Sequence, residues 1–370
     1  MDLRMSENAI QPYSEYREQS LWDRKLAQGA KLKTEDLIVE SNRLRAAWTQ
    51  YDSEVLDHYL VTDVEDPRIN LQSIISRSFL IDAIWPNEFT GLIREEFRFS
   101  ICLNFILMVL KTKDLQAGRQ PLLDALIDGQ DACGEVKIPS YLRRCFELIS
   151  REKQELPDYI SHTLIDPISD ENGWLPDSAL STFEQIWHSV LCHREANSIS
   201  VLEPACGSAN DYRYLHSFGV SKFLEYTGFD ICDKNIANAR RRFSSVHFKI
   251  GNVLYIPSQD NSYDFLFVHD LFEHLSPAAI DIAIAEISSV TRKQACLSFF
   301  NMADITEHIV ERTGLYHWNT LSLSKVQELL MNSAHDIDVV HIDTFLKDNY
   351  DCTDYHNKRA YTFIVSFNGS

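Results

Sequence analysis

Residues 198–219, SISVLEPACGSANDYRYLHSFG, limit what this chain can fold into more than any other stretch. From Ser198 to Leu202 the pattern alternates and then runs apolar, with β-branched residues, as in a strand buried on both faces. The run breaks at Pro204 into small residues, Ala205-Cys206-Gly207-Ser208-Ala209, where backbone can approach a ligand closely. Asn210 or Ser208 can cap the helix that follows, and Gly219 suits the left-handed position just past its end. Strand, tight turn and helix N-terminus in that order make a binding site for a small anion or a carboxylate.

The alternation continues to the end of the chain. Strands are expected at 223–229, ending at Asp230; at 246–250, ending in Gly251-Asn252-Val253; at 263–268, ending in His269-Asp270; and at 295–300, 337–345 and 360–367. Helices are expected at 234–243, 277–290 and 324–331. Strands alternating with helices mark a parallel sheet covered by helices. The last run, YTFIVSF, follows its predecessor without room for a crossover helix, so it is expected to pair antiparallel.

The first half reads differently. Residues 1–35 are polar and charged, and residues 34–151 carry helical periodicity at 37–60, 71–84, 99–110, 122–127 and 141–149, with no convincing strand run and no repeat. The apolar run at 99–110, FSICLNFILMVL, is too short to span a bilayer and contains Asn104, so it predicts a buried helix. Prolines, Gly173 and aspartates make 156–176 a linker and turn region. Asp177 then caps an amphipathic helix with Leu180, Phe183, Ile186, Trp187, Val190 and Leu191 on one face. With 370 residues the chain has room for two domains, expected as an all-α N-terminal domain at 1–175 and an α/β domain at 176–370.

The segment Glu203-Pro204-Ala205-Cys206-Gly207-Ser208-Ala209-Asn210 resembles the first motif of the class I S-adenosylmethionine (SAM) methyltransferases, an acid followed by an alternating glycine loop. The acid and the middle glycine are kept, and Ala205 and Ala209 stand where the family usually has glycine. Alanine is the smallest replacement, and a positive φ at either position would carry strain. The resemblance implies a Rossmann-like seven-stranded sheet with one reversed strand, and SAM as cofactor. Glu203 would lie beneath the turn, where its charge favours the ammonium of the methionine moiety, with Ala205, Gly207 and Asn210 in the cradle. Asp230 follows Gly207 at close to the spacing at which an acid reaches a ribose hydroxyl, with Ile231 beside it. Asn252 and Val253 correspond to the family's adenine segment, where aspartate is usual and the Asn252 carbonyl can still accept from an amine.

A second match is Asn261-Ser262-Tyr263-Asp264, followed through His269-Asp270 by Glu273-His274-Leu275, similar to the NSFD…EHL segment of small-molecule and lipid-type methyltransferases. In that family the strand end faces the sulfonium, which implies His269, Asp270 and His274 at the chemistry, His274 and His269 being the candidate catalytic residues and His274 the favoured base. His308, Tyr316 and His317 fall in the segment after the fifth strand, which in similar enzymes often borders the acceptor; Tyr316 and His317 are taken as pocket residues. Tyr159 and Trp174, in the turn region before the sheet, are further candidates for the acceptor pocket. The His/Asp/Glu/His spacing fits neither HExxH nor an evident facial triad, so no metal is expected.

Charge and composition narrow the partner. A net charge of −19 disfavours binding through nucleic-acid phosphates, and the densest basic patch, Arg240-Arg241-Arg242, falls late in a helix whose dipole it complements. Nucleobase amine methyltransferases carry an Asn/Asp-Pro-Pro-aromatic tetrapeptide where this chain has His269-Asp270-Leu271-Phe272, which points the same way. Eight cysteines without CxxC pairs, and an N-terminus without an apolar run, predict reduced thiols in a cytoplasmic protein with no membrane partner. The expected function is methyl transfer to an O or N atom of a small molecule. A protein-directed methyltransferase or a non-catalytic SAM-binding module stays open, and a nicotinamide enzyme is weakened by the loss of two of three fingerprint glycines.

Overall fold

The computed structural model describes residues 71–87, a few positions between 125 and 192, and residues 199–367 apart from 218, 314, 315, 351 and 354. The helices expected at 37–60, 99–110, 141–149 and 177–191 lie outside the described residues, as does all but one position of that at 122–127. Tyr159, Trp174 and the turn region around them lie outside too.

Seven strands form one sheet: β1 (Ile199–Pro204), β2 (Leu224–Asp230), β3 (His247–Ile250), β4 (Tyr263–Val268), β5 (Thr291–Phe299), β6 (Asp336–His341) and β7 (Tyr361–Ser366). Their order is β6-β7-β5-β4-β1-β2-β3. All are parallel except β7, which runs antiparallel to both neighbours, as the resemblance implied. From β1 the chain steps outward to β2 and β3, then returns to the other side of β1 for β4. The carboxyl ends of β1 and β4 therefore flank the point where strand order reverses, and open α/β sheets bind ligands in the crevice at that point.

The helices follow the sequence closely. Helix α2 (Asn210–Ser217) comes straight from the small-residue turn, α3 (Asp233–Arg242) follows β2, and α4 (Pro277–Val290) fits its expected span, capped by Ser276 with proline in the first turn. Helix α5 (Leu323–Met331) is capped by Ser322. Gly219 adopts the left-handed conformation, φ 73°, after α2.

One expectation needs correction. The strand expected at 337–345 ends at His341, and α6 (Ile342–Tyr350) occupies the connection to β7. Ile342 and Leu346, four apart and fully buried, show the helical period that the β-branched run upstream concealed. The antiparallel pairing of β7 holds with this helix in place.

Helix α1 (Leu71–Ile84) comes from the part of the chain expected as the N-terminal domain, and it packs on β5, β4 and β7. Leu71, Ile74, Ile75, Leu80 and Ile81 are buried, but its contact face is also polar. Gln72 Nε2 donates to the carbonyls of Phe299, at 3.0 Å, and Tyr361, at 2.7 Å. Ser76 Oγ bonds Ser298 Oγ at 2.6 Å and Thr362 Oγ1 at 2.8 Å. In the same half of the chain, where the sequence shows no strand run, Ala132–Cys133 and Val136–Lys137 pair as a two-residue hairpin.

Candidate functional site

The turn after β1 is held by its neighbours on every side. Ala205, Gly207 and Ala209 all have positive φ, 56°, 54° and 66°. Each alternate position of the turn is thus left-handed, and the two alanines carry the strain anticipated for them, roughly 1–2 kcal/mol per residue. Asp230, at the end of β2, accepts the Gly207 amide at 2.9 Å with one oxygen and the Cys232 amide at 2.7 Å with the other. Cys206 N donates to Phe229 O at 3.0 Å. From α3, Asn238 Nδ2 donates to Ser208 Oγ at 3.2 Å, and Arg242 Nη1 donates to Ser208 O at 2.6 Å and to Asn210 Oδ1 at 3.1 Å. The basic triplet therefore does more than complement a dipole: Arg242 braces the turn, while Arg240 satisfies the Phe248 carbonyl. Close packing leaves Gly228 no room for a Cβ, which would sit 2.9 Å from the Phe248 ring and 3.0 Å from Cys206 Sγ.

Beneath the turn lies a group of buried charges. Glu203, 3% exposed, accepts a hydrogen bond from the Tyr226 hydroxyl. Burial, and next the charge of Asp211, push its carboxyl well above the usual range. Burial likewise raises Asp230, against the two amide bonds that favour its charged form. Asp211, in the first turn of α2, behaves oppositely: burial would raise it, but His269 and then Arg77 hold it well below the ordinary carboxylate value. Arg77 reaches Asp211 Oδ1 from α1, and His269 Nδ1 lies 2.8 Å from Asp211 Oδ2.

The exits of β4 and β5 are joined by a second buried acid. His269 and Asp270 leave β4, and a 3-10 turn, Phe272–His274, places His274 Nε2 3.2 Å from Asp270 Oδ1 and its ring 5.3 Å from that of Trp318. Glu273, fully buried, accepts the amides of Phe300 and Asn301 with Oε1, while its backbone carbonyl takes the Asn319 amide. Its Oε2 has no hydrogen-bond partner, and burial, then the nearby Asp270 charge, push its carboxyl up to about 7. Asn319 Nδ2 donates to Leu275 O at 2.7 Å, and Asn301 Nδ2 to Asn319 O at 3.1 Å. Two short strands, Arg312–Thr313 and Tyr316–His317, pair beyond β5, and the second packs beside the Phe272–His274 turn.

The expected site residues thus gather along one edge of the sheet: Glu203, Ala205, Gly207 and Asn210 after β1, Asp230 and Ile231 after β2, Asn252 and Val253 after β3, and His269, Asp270 and His274 after β4. The backbone of Tyr316 and His317 is close to His274. Asn252 Oδ1 already accepts the Leu254 amide at 3.0 Å, which leaves it one lone-pair direction for a ligand. Away from this edge, His308 Nδ1 accepts the Ser322 amide at 2.9 Å. Arg77, Asp211 and Tyr226 were not singled out from sequence. Arg242 was read only as complementing a helix dipole, and Glu273 only as part of the second matching segment.

A family model described as a methyltransferase domain matches residues 201–294. This part of the chain is a methyltransferase domain. It runs from within β1 into β5, and together with the seven-strand order and the turn it places the C-terminal half in the class I, SAM-dependent group. Among solved structures, a SAM-dependent methyltransferase of Methanosarcina mazei is 16% identical over 49% of this chain and 98% of its own, TM-score 0.37. The 1,6-didemethyltoxoflavin-N1-methyltransferase of Burkholderia thailandensis, solved with 1,6-didemethyltoxoflavin and S-adenosylhomocysteine, is 16% identical over 52% and 78%, TM-score 0.35. The methyltransferase in complex with the Haloferax volcanii Trm112 activator is 13% identical over 52% and 95%, TM-score 0.35. No curated protein matches the chain.

The methyltransferase edge fits SAM in its chemistry. Three left-handed residues open the backbone of the turn, acids lie under a ligand that carries positive charge, and a buried imidazole nitrogen, His269 Nε2, has no partner. Among the described residues no helix is long and apolar enough to cross a membrane.

Proposed function

We propose that the protein transfers a methyl group from SAM to an O or N atom of a small-molecule acceptor. The observation that carries this reading is the turn at 204–210, left-handed at every second residue and tied to Asp230, at the point where a sheet of methyltransferase order reverses direction. SAM supplies an electrophilic methyl on sulfur. The chain's residues bind, align and exclude water: the turn and α2 N-terminus face the carboxylate, Glu203 the ammonium, Asp230 and Ile231 the ribose, and Asn252 and Val253 the adenine. His269 and His274 border the acceptor, with Tyr316 and His317 and, from the N-terminal half, Tyr159 and Trp174 completing its pocket. The acidic balance of the chain supports a small molecule over a nucleic acid. Cysteines 206, 232 and 296, buried and outside any disulfide, support a reducing, cytoplasmic setting.

A second reading, a methyltransferase directed at a protein, draws on Ile309, Val310 and Trp318, exposed together on the excursion after β5. Calorimetry with SAM, S-adenosylhomocysteine and NAD tests the cofactor: the first two are expected to bind, and binding of NAD alone would overturn the proposal. Methyl-labelled SAM incubated with cell extract and enzyme then separates the readings, since label in a low-mass product supports the first and label only in protein the second.

A further inference from the structure

A line of buried charges crosses the site from the N-terminal helix to the exit of β4. Arg77 of α1, 1% exposed and stacked 4.1 Å over the Tyr214 ring, pairs with one oxygen of Asp211. The other oxygen of Asp211 meets Nδ1 of His269 at 2.8 Å. An ionised carboxylate only accepts, so the hydrogen between them belongs to Nδ1, and Nε2 of a neutral ring keeps its lone pair. That nitrogen is buried and makes no hydrogen bond. Leaving such a group unpaired costs about 1–3 kcal/mol, so the ring is held ready for a partner that enters the crevice.

The other histidine at this edge is held more loosely. His274 has a side chain 27% exposed, and its partner Asp270 is 63% exposed, where water screens the pair. Asp211 of α2 is paired with His269 and with Arg77 of α1, and the charges of Asp211, Arg77 and Asp230 act in turn on Glu203 at the end of β1.

We infer that His269 takes the proton of the acceptor's O–H or N–H group, and that Asp211 and Arg77 are positioning residues which fix its tautomer. The inference rests on the methyl-transfer reading above. The acceptor's O–H or N–H bond breaks as a bond to Nε2 forms, and the electron pair stays on the acceptor atom. The imidazolium that results keeps its other hydrogen on Asp211, whose charge stabilises it. Arg77 balances Asp211, so docking of α1 becomes a condition of turnover as well as of folding.

The test begins with NMR of the full chain labelled with 15N-histidine, which needs no acceptor. One ring, identified by its loss in His269→Gln, is expected as the Nδ1–H tautomer, and Asp211→Asn is expected to shift it toward the Nε2–H form. Arg77→Lys, which keeps the charge, is expected to preserve the tautomer. In turnover of methyl-labelled SAM with cell extract, Asp211→Asn is expected to slow product formation on the order of 10²-fold and to move the acidic limb of the pH profile, with SAM affinity within about threefold of wild type. Ser76→Ala, which loses the bonds to Ser298 and Thr362, is expected to lower Tm and leave tautomer and limb in place. An Nε2–H tautomer in the wild type would overturn the inference, and so would an acidic limb that disappears in His274→Gln but not in Asp211→Asn. Failure of SAM to bind would sink the methyl-transfer reading instead, while the NMR result would still decide the His269 pair.

Discussion

Two buried carboxylates organise the two halves of the proposed site, and they do so by opposite means. Asp230 uses one oxygen for each of two amides, Gly207 and Cys232, on the side proposed for the cofactor. Glu273 gathers the amides of Phe300 and Asn301 on a single oxygen and leaves the other with no partner, on the side proposed for the acceptor. The first acid satisfies its neighbours and itself. The second satisfies its neighbours only, and burial, then the nearby Asp270 charge, raise its carboxyl to about 7. The proposed cradle is held by bonds to backbone amides, whereas Glu273, raised to about 7, is poised between two protonation states near neutral pH.

The largest effect should come from the cradle. Gly207→Val places a β-branched residue at φ 54° and fills the space beside the ligand, so SAM binding is expected to fall more than 10²-fold in calorimetry while circular dichroism still reports a folded protein. Normal binding would mean that the turn is not the cradle. Asp230→Ala leaves two amides without acceptors and would remove the proposed ribose contact. A loss of about 1.5–3 kcal/mol in SAM affinity, roughly 10- to 10²-fold, is expected, and equal affinities would refute the assignment.

Glu273 sharpens the contrast through pH. Its folded pKa is raised to about 7, above the unfolded value, so the native protein keeps a proton that the unfolded chain releases. The stability it contributes is full below about pH 4.5 and declines as pH rises toward 7. Glu273→Gln retains an oxygen for both amides and does not titrate. Melting curves should therefore show the variant gaining on wild type by a few degrees between pH 5 and 8, and parallel curves would show that Glu273 does not titrate in this window. The smallest effect is expected from Ala205→Gly and Ala209→Gly. Relief of left-handed strain, about 1–2 kcal/mol, is partly offset by the roughly 0.5–1 kcal/mol entropy cost of glycine, so each should stabilise by up to about 1.5 kcal/mol in urea unfolding. Destabilisation by either would mean that the strain is not stored there.

The same contrast explains what could be read from the sequence. The turn is built from backbone conformation and short-range order, so Glu203 and Gly207 marked it by type and spacing along one strand-turn-helix unit, with Asp230 at the end of the next strand. The acceptor side depends on side chains that meet across long separations. Glu273 and Phe300 are 27 residues apart, and Asn319 and Leu275 are 44 apart. No local pattern encodes such pairs. Arg77 and Asp211, 134 residues apart, were hidden for the same reason, and Arg77 on its own looks like any solvated charge on a helix. Helix α6 was missed because Ile337 to Val340 carried a strand signal past the point where the period changed.

The hydrogen bond from Gln72 to Tyr361 spans 289 residues, and that from Ser76 to Thr362 spans 286. As the ribosome makes the chain, α1 appears before any strand of the sheet it covers, and β7, which supplies Tyr361 and Thr362 as polar partners, appears after all the others. Until then Gln72 and Ser76 lack two of their bonds, those to Tyr361 and Thr362, although Phe299, Ser298 and the Asp211 partner of Arg77 are already made. Contacts of such separation fold slowly, because the intervening loop must close before they return any energy. Strand β7 thus acts as a latch on α1, and a nascent chain stalled short of residue 361 would carry the turn at 204–210 with α1 held on β4 and β5 alone.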